Sequence, residues 1–181
     1  MGDIRRNIIV GCASAAIIAT AAVGLFIPSE AAKPEETTII YALGKRRSAD
    51  EVASINALAQ MLYGEARGVE STTEKAACVW VVLNRADDPR WSDDIIEVLS
   101  QRYQFGGYNA KNPVEDWARE LAADVYDRWI AEKDGDMNCG RVIPSDYFVW
   151  CGERAGKHNW FYKEFGKQVY YTWDMETPYY D

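Results

Sequence analysis

The carboxyl group with the strongest claim on chemistry is Glu65. It closes a stretch in which Val52, Ile55, Leu58 and Leu62 recur at helical spacing. At about 100° per residue, Leu58, Leu62 and Glu65 all fall within about 80° of Ile55, so Glu65 continues the apolar stripe at its C-terminal end. A carboxyl in that place is partly desolvated, which favours its protonated form. A protonated carboxyl beside a cleft is a general acid. The blander alternative is a solvated helix-end glutamate with Arg67 as a surface partner. Against it stands the rule that Glu is seldom buried without a reason.

The other reactive side chains are few. His158 is the single histidine, which excludes any site built on two histidines, the H-E-x-x-H zinc proteases included. No metal and no cofactor are expected. Of four cysteines, Cys78 lies in the apolar run AACVWVVL and reads as a small buried hydrophobe. Cys139 and Cys151 could bridge a short loop in an oxidising compartment; their spacing leaves that open. A thiol paired with His158 would make a cysteine peptidase, which needs its Cys at an exposed helix start. The mid-helix setting of Cys78 disfavours that role, whereas Cys139 and Cys151 keep it open. Seven Trp and eleven Tyr suit an aromatic core or a ligand groove, so a non-catalytic glycan-binding protein is a further alternative. The net charge of −8 and pI near 4.8 argue against a nucleic-acid binder, which needs a basic footprint.

The elements that must position these groups follow from periodicity and caps. Asn7 to Ile27 is an apolar run with no charge inside it, preceded by Arg5 and Arg6. It is long enough for a helix to cross a hydrocarbon core of about 30 Å, and the arginines predict a cytoplasmic N-terminus. The expected localisation is therefore a membrane-anchored protein with an extracytoplasmic domain, or a secreted one if cleavage occurs near Ala31. Residues 1–30 form the stub and anchor, 31–47 a linker, and 48–181 the folded domain. A first helix is expected from Ser48 or Asp50 to Gly68. The second opens on Ser71-Thr72-Thr73-Glu74, a capping-box pattern, and is apolar on nearly every side. A third starts at Ser92 and buries Ile95, Ile96, Val98 and Leu99. Arg102 to Tyr108 reads as an aromatic loop hinged on glycine. Pro113 opens a fourth helix carrying Trp117, Leu121, Val125 and Trp129, and Gly135 ends it. Tyr147–Trp150 and Gln168–Trp173 read as strands. The fold class is α+β, helix-dominated, with a small β-rich C-terminal part.

Several of these segments together carry a resemblance. Ala57 to Gly68, with its Tyr63-Gly64-Glu65-Ala66-Arg67-Gly68 string, resembles the signature of the SleB-like cell-wall hydrolases. The AACVWVVLNR helix, Tyr103-Gln104-Phe105 and Gly156-Lys157-His158-Asn159-Trp160-Phe161 are similar to later motifs of that family, in the same order. The resemblance covers about Ser54 to Tyr162. It implies a lysozyme-like fold, peptidoglycan glycan strands as the partner, and Glu65 as the one catalytic glutamate. Tyr63, Tyr103, Gln104, Phe105, Tyr147, His158 and Asn159 are the candidate substrate-binding residues. The family's Asp-Pro-Thr stretch has no counterpart at Asn138 to Ser145; only the aromatic strand that follows survives.

Glycoside cleavage needs a proton on the leaving oxygen, and the usual hydrolase adds a second carboxylate. Asp93, Asp94, Asp116 and Asp146 are available, but no motif singles one out. A lytic transglycosylase needs one acid alone, so the pattern leans toward that reaction over a muramidase. His158 reads first as a structural hydrogen-bond hub, despite its convenient pKa.

Overall fold

The computed structural model describes residues 39–42, 44–152, 158–164, 167–170 and 175–180. The expected membrane segment Asn7–Ile27 lies outside them, and among the described residues no helix is long and apolar enough to cross a membrane. The chain begins with a hairpin of β1 (Ile39–Ala42) and β2 (Lys45–Ser48), followed by helices α1 (Ala49–Glu65), α2 (Thr72–Asp87), α3 (Ile95–Ser100) and α4 (Asp116–Lys133). It closes with an antiparallel sheet of β3 (Val149–Gly152), β4 (Asn159–Glu164) and β5 (Lys167–Tyr170), in that order. The helix-dominated α+β class expected from the sequence is the one observed.

Both capped helix starts stand where the sequence puts them. Ser48 accepts from the Glu51 amide while Glu51 returns a bond to the Ser48 amide, a full capping box worth about 1 kcal/mol. Ser71 caps α2 by accepting from the Glu74 amide. Helix α2 is the central element: every residue from Ala76 to Ala86 is buried, and it touches α1, α3, α4 and β3. Its Val79, Val81, Val82 and Leu83 are fully enclosed, each worth about 1.5–3 kcal/mol of apolar burial.

The structure departs from the sequence reading in several places. The end of the segment read as linker pairs as a hairpin: β1 and all of β2 but Ser48 lie within residues 31–47. It is fastened by Arg47, buried and donating twice to Asp127 of α4, a tertiary contact that local signals do not announce. Helix α1 stops at Glu65, three residues before Gly68. Helix α3 starts later than Ser92 because Asp94, accepting from the Ile96 and Glu97 amides, is its cap, and this leaves Ile96 exposed. Helix α4 begins at Asp116 instead of Pro113. Strand β4, which lies between the two segments read as strands, pairs along β3 and β5. Cys139 and Cys151 are free thiols, one buried and one exposed, so no bridge joins them.

Candidate active site

A cleft of about 550 Å³ opens beside the end of α1. Glu65 and Arg85 line it, with Tyr103 to Gly106 on one side and β3 on the other. Glu65 owes its place to the contact between two glycines. A Cβ on Gly64 would lie 1.8 Å from the Gly107 carbonyl oxygen, and one on Gly107 would lie 2.6 Å from the Gly64 carbonyl carbon and oxygen. Only two glycines permit this approach. It lets the Gly107 amide donate to Glu65 Oε1 at 2.6 Å. Asn112 straps the loop to α1 through bonds to the Gln60 and Gly107 carbonyls, and Gln60 answers with bonds to the Ala110 and Asn112 carbonyls. Glu65 Oε2 has no protein partner among the described residues.

Two residues in the last turn of α2 shape the far wall. Asn84 donates to the Pro144 and Tyr147 carbonyls, and Arg85 Nε donates to the Phe148 carbonyl at 2.7 Å. These bonds set the approach to β3, whose Trp150 ring sits 5.3 Å from the Phe105 ring. Arg85 Nη1 donates to Gln104 Oε1 at 2.9 Å. A guanidinium can only donate, so the Gln104 amide is oriented with its NH₂ as the group left for a ligand.

The sequence-predicted residues divide sharply. Glu65, Tyr103, Gln104 and Phe105 meet in the cleft. Tyr103 is 84% exposed and holds φ +67°. That left-handed conformation is uncommon for a residue with a Cβ. Tyr63 stands outside the cleft, with the Arg67 guanidinium 5.0 Å from its ring centre. Tyr147 is buried in the core and does not line the cleft; Phe148 beside it is likewise buried, against Trp91. His158 and Asn159 do not line the cleft either. His158 Nδ1 lies 2.9 Å from Glu74 Oε1, and the Asn159 amide donates to Glu74 Oε2. Glu74 is fully buried, so this cluster fastens the start of β4 to the start of α2. None of Asp93, Asp94, Asp116 and Asp146 lines the cleft: Asp94 caps α3, Asp116 pairs with Arg119 and Asp146 with Lys163, so the described residues bring no second carboxylate to its wall.

Three cleft features escaped the sequence: Arg85, Trp150 and the glycine pair. Arg85 alone left a signal. A helix buried on every side that carries Asn-Arg in its last turn must give both polar groups a buried destination. The described cysteines are poorly suited to nucleophilic work. Burial pushes the Cys78 thiol well up, with the charges of Glu74 and Glu65 adding to the effect, and burial raises Cys139 as well. Cys151 borders the cleft on a strand, away from any helix start.

Residues 69–174, more than half of the chain, match the family model described as Cell Wall Hydrolase. The chain belongs to that family, a cell-wall hydrolase family, and its substrate class is peptidoglycan. The matched span contains Arg85, Gln104, Phe105 and His158 and starts four residues after Glu65. No curated protein and no solved structure matches the chain.

Proposed function

We propose that the protein cleaves the glycan strands of peptidoglycan, with Glu65 as its general acid and base. The observation that carries this reading is the setting of Glu65. Among the described residues it is the one carboxylate lining the cleft, with Oε1 held by the Gly107 amide and Oε2 unpartnered. In the first step Glu65 gives its proton to the glycosidic oxygen, the C1–O bond breaks, and the leaving strand departs with a new 4-hydroxyl. In the second, the Glu65 carboxylate takes the proton of the muramic acid C6 hydroxyl while O6 bonds to C1, forming a 1,6-anhydro ring. Glu65 is protonated again and no water is consumed. A single acid suffices for this sequence, which favours lytic transglycosylation over a two-carboxylate muramidase. Tyr103, exposed at the mouth, and the Gln104 amide suit sugar stacking and hydrogen bonding.

The rival reading, a peptidase acting on wall peptides, loses support from the inert surroundings of Cys78 and Cys139 and the strand position of Cys151. By the anchor expectation, Asn7–Ile27 would hold this domain at the outer face of a membrane, within reach of the wall. The test of the central assignment is Glu65→Gln on purified peptidoglycan. The amide is nearly isosteric and cannot deliver a proton, so turnover should fall by about 10²–10⁴ with the fold kept. Near-wild-type turnover in that variant would refute it.

A further inference from the structure

The charge that the mechanism above leaves unused is Arg85. Its side chain is 97% buried by the exposure of 3% it retains, yet among the described residues no carboxylate pairs with it. Both of its bonded partners, the Phe148 carbonyl and the Gln104 amide, are neutral. The Phe105 and Trp91 rings lie 4.8 Å and 5.4 Å from its guanidinium carbon. Burial without a counter-ion draws its pKa down to about 10, which still leaves it charged at neutral pH. Nη2 makes no hydrogen bond within the described protein and is not among the buried side-chain atoms sealed from solvent. A cation taken out of water with no counter-charge is costly to keep. Here it borders a cleft that a ligand must enter.

We propose that Arg85 is a carboxylate-recognition residue: through Nη2 it binds a carboxylate of the acidic peptide that the glycan strand carries. The inference rests on the glycan-cleavage reading of the same cleft. The sugar rings of the strand offer hydroxyl and amide oxygens, which are neutral. The two neutral acceptors already in place satisfy Nε and Nη1 without compensating the charge. What remain are the two N–H groups of Nη2, a second N–H on Nη1 and a whole positive charge, and a carboxylate supplies both the acceptor and the counter-charge in one short bond. Glu65 does not fill this role inside the protein, since no ion pair joins it to Arg85. A peptide carboxylate would thus select strands that still bear their peptides and would fix how far the strand slides along the cleft before the bond at Glu65 is cut.

The test uses the full-length protein and soluble glycan–peptide fragments in two forms, one with free peptide carboxylates and one with those carboxylates converted to primary amides. Wild type should lose about tenfold or more in kcat/KM on the amidated form, the loss expected for one charge-assisted hydrogen bond. Arg85→Gln should be slow on both forms and show no preference. Arg85→Lys, which keeps a charge on a different geometry, should retain a preference of a few-fold, and it carries the comparison if the glutamine variant does not fold. A wild-type enzyme that cleaves both forms equally, or a folded R85Q or R85K with the full wild-type preference, would overturn the inference and leave the glycan reading intact. Failure of the wild type to cleave either form would overturn both.

Discussion

Gly64→Ala separates the position of Glu65, the proposed general acid, from the stability of the fold. The new Cβ would sit 1.8 Å from the Gly107 oxygen, 2.5 Å from its carbonyl carbon and 2.8 Å from Asn112 Nδ2, where real Cβ contacts stay above 3.0 Å. The closest contact is backbone, which no rotamer change relieves. Moving it from 1.8 to 3.0 Å requires the loop and the end of α1 to part by about 1.2 Å. A shift of that size along the 2.6 Å bond from Gly107 to Glu65 would stretch it to about 3.8 Å, beyond hydrogen bonding. Overpacking of this kind costs about 1–3 kcal/mol. Alanine in place of glycine in a helix returns about 1 kcal/mol, so net destabilisation should be no more than about 2 kcal/mol. For a chain of this size that lowers Tm by less than about 8 °C. Catalysis should suffer far more, since misplacing a reacting group by about 1 Å can cost 10²-fold. The assay is release of soluble fragments from purified peptidoglycan, beside a thermal melt. Gly106→Ala is the control: it is one residue from Gly107, its added Cβ meets nothing within 4 Å, and it should melt like wild type. Full activity in a folded Gly64→Ala protein would refute the claim that the glycine contact sets the reactive geometry.

Other outcomes follow from the remaining contacts. Glu74→Gln removes the buried carboxylate between His158 and the Asn159 amide and should cost about 1–3 kcal/mol, read as a fall in Tm. Asp127 is pushed up by burial but held below the ordinary carboxylate range by its bonds from Arg47 and Lys45. Its folded pKa is therefore depressed, so its stabilisation is complete above the unfolded value of about 3.9 and is lost as pH falls through the folded value. The Tm difference between wild type and Asp127→Asn should accordingly shrink below about pH 4; a difference constant with pH would contradict the pairing. Cys151→Ala should keep cleavage within about twofold, whereas a peptidase relying on that thiol would lose its activity. Substitution is a cleaner test than alkylation here, because any bulky adduct on Cys151 would obstruct the cleft it borders.

Much of this arrangement was written locally and could be read. Ser48 and Ser71 announce their helices because a cap is a contact over three residues. Glu65 and the Gln104-Phe105 pair were legible because each follows a strong local pattern: an apolar stripe in one case, a glycine-hinged aromatic loop in the other. The contact of Gly64 with Gly107 was not legible, since two glycines far apart in sequence give no sign that their backbones meet. Arg47 on Asp127 is the same kind of long-range event, and it turns an apparent linker into a fastened hairpin. Tyr147 is a candidate cleft aromatic by the resemblance, but it precedes β3, and its ring is buried in the core while its carbonyl accepts from Asn84. His158 was expected first as a hub, and the bond to Glu74 gives it that place.

The most direct measurement is mass spectrometry of the fragments that the full-length protein releases from purified peptidoglycan, run beside the Glu65→Gln variant. The account predicts disaccharide–peptide fragments one water lighter than their hydrolysed counterparts, from the wild type alone. Fragments with ordinary reducing ends would replace the anhydro step with hydrolysis. Release of free peptides with the glycan strands intact, or equal release by Glu65→Gln, would contradict the assignment of glycan cleavage to Glu65.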